Sequence, residues 1–374
     1  MVAAVSQPVL RKEVDYYVPQ FEVRLASRKL PTDAVRDVLQ VTYKDSLTEI
    51  DRAELTVNNW DAERLRFKYS DESLFVPGKQ FELYLGYYGR QPLRRVLMGE
   101  ITSMRPAFPA GGPPTLAIEA LDVLHRFRRK QESHTYLKKT DSRIAREVAT
   151  RLKIRDVRTD AKAEAKEEAY PYIIQDNQHD IVFLLERARK VGYDLFIDEI
   201  NGRTVLHFGP SQNVQRITTE LIYGRTLTEF STNLSTAQQV SKVTVLGWDN
   251  VRKKEIRYTA QRSSLATKGV GAKGKQAEID ASYRDREEII ADRPVNSLKE
   301  AKTLAAETLQ NIAKEMLTGT GSTVGIPDLR AGSILRLGGL GDRFSGRYFV
   351  TSTTHTLGDG GYTTSFECRR EEVD

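Results

Sequence analysis

Cysteine is nearly absent from this sequence, since Cys368 is the single one among 374 residues. An internal disulfide framework is therefore excluded, which is consistent with synthesis in a reducing compartment. The histidines do not form a recognisable metal site either, because none lies in an H-E-x-x-H motif or beside paired cysteines. The chain has five of them: His125, His134, His179, His207 and His355. We therefore predict no bound metal and no cofactor.

Long hydrophobic runs are also missing. No apolar stretch approaches the roughly 20 residues that a membrane-spanning helix needs. The first residues, MVAAVSQPVLRKEVD, lack the basic start and long apolar core of a secretory signal. With 39% hydrophobic and 29% charged residues, the composition is typical of a soluble globular protein of two or three domains. We expect no membrane partner.

Motifs for nucleotide binding and catalysis are weak or missing. The stretch GVGAKG, residues 269–274, matches G-x-G-x-x-G, but a dinucleotide site needs a buried strand before it and an apolar helix after it. The flanking TAQRSSLATK and KQAEIDASY have neither character, so the stretch favours a flexible loop. No G-x-x-x-x-G-K-[ST] and no G-x-S-x-G motif occurs. We predict that the protein is not an enzyme.

The two tryptophans of the chain stand in similar octets, ELTVNNWD and VTVLGWDN, one in each half. The segments that follow match in order, with a turn into a strand, a Gly-led strand ending in Thr-Ser, and a closing strand. The matched positions are Trp60 with Trp248, Asp61 with Asp249, Gly78 with Gly332, and Gly99 with Gly346. This order predicts an internal duplication with both tryptophans in equivalent places and Gly78 and Gly332 in equivalent turns at positive φ. The alternative is two small β domains whose turns are alike by chance.

Periodicity divides the chain into four regions. We predict an N-terminal arm at 1–20, a first β-barrel at 21–125, a mixed α/β middle module at 126–212, and a second β-barrel at 213–374. The second barrel carries an insertion at about 259–317, made of a basic loop and one long helix. The predicted fold class is mainly β with an α/β insert and two similar barrels.

Three helices have recognisable ends. One is expected after the cap candidates in TDS at 140–142, and a second from the cap Asp180 to the stop Gly192. The long helix begins at Ser297, which forms an S-x-x-E capping box with Glu300. Gly319 and Gly321 are expected to end it.

Basic residues cluster in PLRRV, HRFRRK and VRKKEIR. Acidic residues are interspersed and the net charge is only +6, so we interpret these clusters as interface or channel surfaces. A single-stranded nucleic-acid binder with an OB-like barrel is the alternative function, because aromatic residues lie nearby. The residues concerned are Arg94, Arg95, Arg126, Arg128, Arg129, Lys130, Arg252, Lys253 and Lys254.

Several stretches resemble one protein family in the same order. ELTVNNWD with FVPGKQFELYLGYYG and LMGEITSMRPAF resembles its first tube-like barrel, and YIIQDNQHDIVFLLERARKVGYDLFID resembles its middle signature. GTGSTVGIPDLRAGSILRLGGLGDRFSGRYFVTSTTH resembles its second barrel. The family is the late control D family of baseplate hubs in contractile phage tails, whose fold is similar to the N-terminal part of type VI secretion spike proteins. One departure is His179, where a Ser is usual before Asp180.

The resemblance implies a structural role. Family members form a homotrimer with a pseudo-sixfold ring that joins the hexameric tail tube to the trimeric central spike. The implied partners are the tail tube protein, a spike expected as a separate polypeptide, and other baseplate proteins or the tape measure. Nucleic acid is not expected as a specific ligand. Synthesis in the bacterial cytoplasm and assembly into a phage-like particle follow, and a phage, a bacteriocin-like particle, an injection system and a secretion system all remain open.

Overall fold

The computed structural model describes residues 18–89, 92–128, 130–167, 169–200, 203–210, 219–249, 252–262, 282–292, 295 and 297–370. Residues 1–17 of the predicted arm, the GVGAKG stretch and Arg129 lie outside this part of the chain. Strands are much more numerous than helices in the described residues, so the mainly β fold class is confirmed.

The first part of the chain is a curled antiparallel sheet with one short helix, α1 (Thr32–Arg36). Its long strands alternate buried and exposed residues, as in β9, where Leu116, Ile118 and Ala120 all point inward. All six long strands contribute to a single hydrophobic core, so the sheet wraps around it. We call this part the first barrel. Its strands are β1 (Pro19–Leu25), β2 (Arg28–Lys29), β3 (Val38–Ser46), β4 (Arg52–Asn58), β5 (Trp60–Asp61), β6 (Arg66–Phe67), β7 (Gln80–Tyr87), β8 (Arg94–Ala107) and β9 (Thr115–Asp122).

A mixed module follows, introduced by a 3-10 helix at Val123–Arg128. Strands β10 and β12 form a two-stranded ribbon, and β11, β14 and β13 form a second sheet in that order. Both long helices pack their apolar stripes on these sheets in one core. The elements are β10 (Gln131–Lys139), α2 (Asp141–Arg151), β11 (Asp156–Arg158), α3 (Ala161–Glu164), β12 (Tyr170–His179), α4 (Asp180–Val191), β13 (Tyr193–Ile200) and β14 (Arg203–Pro210).

The ends of the helices agree with their sequence signals in most places. The Thr140 hydroxyl caps α2, and Gly192 closes α4 in the left-handed conformation with φ of 67°. The cap residue of α4 is His179 rather than Asp180, and its side chain makes no capping hydrogen bond. Asp180 has another role because it is the first helical residue and its carboxylate is engaged elsewhere.

The last part of the chain contains a second curled sheet and an inserted α/β unit. Strands β17, β18 and β19 form a separate three-stranded sheet that packs on helix α5. The remaining strands surround their own core, which we call the second barrel. The elements are β15 (Thr219–Ile222), β16 (Leu227–Leu234), β17 (Lys242–Asp249), β18 (Lys254–Gln261), β19 (Glu287–Ile290), α5 (Leu298–Lys314), β20 (Leu317–Val324), β21 (Ile334–Gly338), α6 (Gly341–Phe344), β22 (Gly346–Gly358) and β23 (Gly361–Arg370).

Two details of this part differ from the sequence-based expectation. The separate sheet begins at Lys242, so the inserted unit starts before the expected residue 259. Helix α5 begins at the Ser297 cap as predicted but ends at Lys314, and Gly319 and Gly321 lie inside β20. Both glycines make room for aromatic rings, since a Cβ on Gly321 would lie 2.5 Å from the Phe366 ring.

The two barrels have the same order of strand pairing. In the first barrel the order is β1-β7-β8-β9-β4-β3, and in the second it is β15-β21-β22-β23-β20-β16. A difference remains at one edge, where β1 pairs antiparallel with β7 while β15 pairs parallel with β21. The matching order supports an internal duplication in which β4 corresponds to β20.

The turns that lead into β7 and β21 also correspond. Gly78 and Gly332 have φ of 87° and 82°, values that glycine adopts at little cost. The Gly78 amide donates to the Ile101 carbonyl at 2.7 Å, and the Gly332 amide donates to the Val350 carbonyl at 2.8 Å. A register shift follows directly after Ile101 in β8 and after Val350 in β22. The two strands therefore align through these bulges.

Three of the expected pairs do not occupy equivalent positions in the structure. When Ile101 is aligned with Val350, the residue equivalent to Gly99 is Tyr348, which lies two positions after Gly346. Trp60 lies in the short β5–β6 hairpin, whereas Trp248 lies in β17 of the inserted sheet. The tryptophan octets, with Asp61 and Asp249, therefore do not mark equivalent strands. Alternation with Thr and Val is common to many strands, so a short shared octet does not define a repeat.

Candidate assembly interface: the seam between the barrels

The two barrels share one hydrogen-bonded sheet. Residues Gln40–Ser46 of β3 pair antiparallel with Ser352–Gly358 of β22, which joins the barrels edge to edge. Apart from the short β5–β6 hairpin, the described strands of both barrels thus form a continuous sheet of 13 strands. A hydrogen-bonded ladder of this length resists relative motion of the barrels, because any slip breaks several bonds together. We call this junction the seam.

A single arginine of the second barrel is buried in the seam. Arg330 lies in the turn before β21, and only 2% of its surface is exposed. Its Nε donates to Asp45 Oδ2 at 2.6 Å and its Nη1 donates to the carbonyl of Val96 at 3.1 Å. Its Nη2 donates to Asp51 Oδ2 at 3.3 Å and to the hydroxyl of Tyr43. One side chain of the second barrel is thus bound to three elements of the first.

The carboxylates around this arginine are fully engaged. Asp45 also accepts hydrogen bonds from the Ala331 amide at 3.0 Å and from the Thr353 hydroxyl. Asp51 accepts from the Tyr43 hydroxyl at 3.0 Å and from the Ser46 amide at 3.2 Å. Buried charges are tolerated only when they are paired and hydrogen-bonded, and this cluster meets both conditions.

Two buried carboxylates face one guanidinium, and this imbalance alters the protonation of Asp51. Burial raises the pKa of Asp51 to about 7, the charge of Asp45 adds to the effect, and Arg330 opposes it. Although burial alone lowers the pKa of Arg330, the neighbouring Tyr43, Asp45 and Asp51 raise it above its ordinary value. The cluster approaches charge balance when Asp51 carries a proton, because one carboxylate then faces one guanidinium.

A buried histidine extends the network along β22 and β23. His355 Nε2 lies 3.0 Å from the carbonyl of Leu329, and its Nδ1 lies 2.9 Å from the Tyr362 hydroxyl. A carbonyl only accepts, so Nε2 carries the proton and Nδ1 accepts from the Tyr362 hydroxyl. Burial lowers the pKa of His355 to about 4, with a further contribution from Arg330. The ring is therefore neutral at pH 7 and is a structural part of the seam.

The middle module also contacts the seam. Phe196 of β13 packs in a small apolar cluster with Leu47 of the first barrel and with Ala331 and Phe349 of the second. A groove of about 460 Å³ opens beside this cluster. Its lining combines hydroxyl groups such as Ser46 and Thr320 with the carboxylates of Glu315 and Glu367. All three parts of the chain therefore meet at one junction.

The middle signature of the sequence corresponds to a buried polar cluster. Gln175 is fully buried, and its Nε2 donates to Asp180 Oδ1 at 2.8 Å and to the Gln178 carbonyl at 3.1 Å. The Tyr136 hydroxyl donates to Gln175 Oε1 at 3.2 Å, and Arg151 pairs with Asp180 at 2.7 Å. The hydrogen bond from Gln175 to Asp180 thus attaches the β10–β12 ribbon to the start of α4.

The basic residues singled out in the sequence do not form one surface in the described structure. Arg94 pairs with Asp328, and burial lowers its pKa. Arg95 approaches Glu82 at 4.0 Å. Lys130 pairs with Glu132 at 3.4 Å, while Lys253 and Lys254 are exposed beside Arg252 at the end of the inserted sheet. The side chains of Arg126 and Arg128, like all of Arg129, lie outside the described part.

The residues that form the seam had no signal in the sequence. Arg330 stands in IPDLRAG, where only the turn pattern was recognisable, and Asp45 and Asp51 are ordinary acidic residues near strand ends. A search of the described residues finds no group of three or more potential metal ligands. Among the same residues, no helix is long and apolar enough to cross a membrane.

Solved structures with the same fold include several tail proteins. A 43 kDa tail protein of prophage MuSo2 from Shewanella oneidensis is 15% identical, with a TM-score of 0.70 over 94% of this chain and 98% of that one. A tail protein from Neisseria meningitidis MC58 is 14% identical, with a TM-score of 0.69 over 96% and 98%. An Escherichia coli type VI secretion component, described as similar to bacteriophage T4 tail proteins gp27 and gp5, is 12% identical, with a TM-score of 0.56 over 94% and 77%.

These likenesses confirm, at the level of the fold, the resemblance to tail and type VI secretion proteins that the sequence indicated. No curated protein sequence matches the chain. The profile of the Alg8 N-terminal domain family matches residues 17–359, which include the first barrel, the middle module, the inserted unit and the second barrel as far as the end of β22. The chain belongs to the Alg8 N-terminal domain family.

Proposed function

We propose that this chain is the structural hub of a contractile tail or injection machine, a homotrimer that joins the hexameric tail tube to the trimeric central spike. The observation that carries the proposal is the pair of barrels with the same strand order, fused through β3 and β22. Three copies of such a chain offer six similar barrels in a ring, which can match a sixfold partner on one side and a threefold partner on the other.

The folds of similar proteins support this assignment. The structures with the same fold are described as phage tail proteins and as a component of the type VI secretion system. We infer that this chain is likewise assembled into a phage-like tail particle after synthesis in the bacterial cytoplasm. Its proposed partners are itself, the tail tube protein, the spike and other baseplate proteins.

The seam supplies the mechanical property that a hub needs. Force transmitted through the ring would act between the two barrels of each chain, where the β3–β22 ladder resists slip. Arg330 adds bonds to Asp45 and Val96 that would have to break in the same motion. A buried charge cluster fixes one arrangement, because any displaced member would be left unpaired. We therefore propose that the two barrels move as one rigid body.

We propose a structural rather than a catalytic role. The buried histidine of the seam binds Leu329 and Tyr362 through its two ring nitrogens, so its hydrogen-bonding capacity is used inside the fold. Nucleic-acid binding is the less favoured alternative. Arg94 and Lys130 pair with acidic neighbours, and they belong to different parts of the fold.

Native mass measurement of the purified chain, alone and with its tube and spike proteins, tests the proposal. Three copies of the 42.4-kDa chain give about 127 kDa, and we expect this species alone or with the spike. Electron microscopy of the particle with a labelled chain is expected to place the label at the tube–spike junction. A monomer in every mixture, together with no label at that junction, would refute the hub assignment.

A further inference from the structure

One face of the inserted sheet displays large apolar side chains. Trp248 of β17 is 50% exposed and Ile289 of β19 is 58% exposed. Both lie on the same face, because Ile289 is in register with Thr244, which stands four residues from Trp248 on β17. The opposite face is buried, with Val245 and Ile290 packed in one core with α5. We call the exposed side the Trp248 face.

The backbone that carries Trp248 is held rigidly. Its amide donates to the carbonyl of Val295 at 3.2 Å, and the residue pairs with Glu255 in the β17–β18 ladder. A Cβ on the preceding Gly247 would lie 2.7 Å from the same carbonyl, so the chain approaches closely there. An exposed aromatic side chain on a fixed backbone loses little conformational freedom when it becomes buried in a partner.

Three basic residues lie at the end of the sheet next to Trp248. Arg252, Lys253 and Lys254 follow one another at the beginning of β18 and are all exposed. The Asp249 carboxylate accepts from the Arg252 amide at 2.8 Å, which fixes the turn. Lys253 has φ of 53°, as is usual in a tight turn. An exposed tryptophan thus stands near three basic residues, of which Arg252 also lies 3.9 Å from the Asp249 carboxylate and Lys254 is in register with Asp249.

We propose that the Trp248 face is a docking surface for an acidic protein surface on another component of the same particle. Trp248 enters an apolar pocket of that partner, and Arg252, Lys253 and Lys254 pair with carboxylates at its rim. Tryptophan and arginine are the side chains most often found at the energetic centre of protein interfaces. Complementary charge at the rim increases the rate of association and selects the partner. The inference rests on the proposed function only in assuming a particle.

The acidic residues on this sheet favour a protein partner over nucleic acid. Glu255 stands directly opposite Trp248 in the ladder, where a phosphate backbone would have to pass if a base stacked on the indole. Glu287, two residues from Ile289 on the same face of β19, is also exposed. These carboxylates repel a phosphate backbone that runs along the sheet, whereas a protein partner can confine its acidic residues to the Arg252–Lys254 end and bury the apolar residues.

Fluorescence offers a direct test because the chain has two tryptophans. Trp60→Phe leaves Trp248 as the single tryptophan of this chain, and labelling this chain alone with 5-hydroxytryptophan allows its emission to be excited apart from the tryptophans of the other particle proteins. We expect the acrylamide quenching constant of this emitter to fall at least about threefold from the isolated chain to the assembled particle, because the partner shields the indole. Equal quenching in a particle that contains the chain by mass spectrometry would overturn the inference and leave the hub assignment intact. Absence of the chain from the particle would refute both.

Cross-linking identifies the partner and does not depend on that variant. With p-benzoylphenylalanine in place of Trp248, we expect a product with a different particle protein, at a peptide whose apolar residues are flanked by Asp or Glu. A product with a second copy of this chain, or none, would overturn the inference. So would quenching of Trp248 by a 20-nucleotide oligothymidylate with a steep salt dependence.

Charge reversal supplies the matched control. Lys253→Glu with Lys254→Glu should lower the cross-linking yield at least about tenfold. Lys162→Glu with Lys166→Glu makes the same charge change near α3 and should leave the yield unchanged. Equal yields from the two double variants would show that the cations do not select the partner and would overturn that part of the inference. Circular dichroism of each variant verifies that it is folded.

Discussion

Arg330 of the second barrel donates a hydrogen bond of 2.6 Å to Asp45 of the first, and both side chains are almost completely buried. The two residues stand 285 positions apart in the chain. Their contact is possible only because β22 pairs with β3 and brings the turn before β21 against the first barrel. Substitution of either residue therefore tests whether the two barrels are joined through the seam.

Removal of this arginine should strongly destabilise the protein. In Arg330→Met, Asp45 and Asp51 lose their cation while remaining buried. We expect the free energy of unfolding in urea to fall by about 3–5 kcal/mol, as is usual when one member of a buried ion pair is removed. The exposed Arg28→Met should change it by less than about 0.5 kcal/mol. A loss below about 1 kcal/mol in Arg330→Met would contradict the seam.

The pH dependence of stability should reveal the proton on Asp51. Its pKa is raised by burial from 3.8 to about 7 in the folded chain, so the folded state binds more protons than the unfolded state between these values. The Asp51 contribution to stability is therefore largest at low pH and is lost as pH rises towards 7. The variant Asp51→Asn lacks this pH-dependent contribution to the free energy of unfolding. Its stability relative to the natural chain should rise with pH, by at most about 1.4 kcal/mol per unit between pH 5 and 7, and level off above.

Denaturation of both proteins in guanidinium chloride at pH 5, 6, 7 and 8 measures this difference. The comparison is needed because His355, whose burial lowers its pKa to about 4, acts in the opposite direction. Its neutral form is favoured by folding, so its contribution is present above about pH 6.5 and is lost as pH falls towards 4. Subtracting the free energy of unfolding of the natural chain from that of Asp51→Asn at each pH cancels the His355 contribution. A difference that does not vary with pH would mean that Asp51 is ionised throughout.

A methyl group at Gly321 should destabilise the second barrel. A Cβ there would lie 2.5 Å from the ring of Phe366, which is buried in the core. We expect Gly321→Ala to lower the free energy of unfolding by about 1–3 kcal/mol, the usual cost of overpacking. Gly360→Ala is the control, since nothing lies within 4 Å of its Cβ position. Combination with Phe366→Leu should restore part of the loss, and strictly additive effects would show that the two sites do not touch.

Loss of the buried Gln175 amide should weaken the middle module. Gln175→Ala removes the acceptor of the Tyr136 hydroxyl and the donor to the Gln178 carbonyl, and each unsatisfied buried group costs about 1–3 kcal/mol. We expect amide hydrogen exchange in β10 and β12 to accelerate at least about tenfold while exchange in β4 is unchanged. Gln178→Ala, on the partly exposed end of the ribbon, is the comparison. Equal acceleration in all strands would indicate global rather than local destabilisation.

Local chemistry made much of the architecture predictable. Alternation in segments such as TLAIEALD identified strands because burial on one face leaves a period of two. The caps at Thr140 and Ser297 and the stop at Gly192 identified helix ends, since these residues satisfy terminal groups of the helix itself. Gly78 and Gly332 were paired through the turns that they form.

The predictions that failed relied on sequence patterns whose structural meaning depends on residues distant in the chain. The tryptophan octets resembled each other, yet they lie in different sheets, because a short β pattern does not specify which strand it will pair with. Gly319 and Gly321 were taken as helix stops, whereas their role is to admit the rings of Phe230 and Phe366. That role depends on residues far away in the chain.

The sequence by itself determined most strands, the starts of α2 and α5, the end of α4, the two glycine turns and the resemblance to tail proteins, because each depends on neighbouring residues. Only the tertiary structure decided that the two barrels have the same strand order, that β3 joins β22, and that Arg330 is buried in the seam. Burial and charge pairing arise from contacts between residues hundreds of positions apart, and no local pattern encodes such contacts.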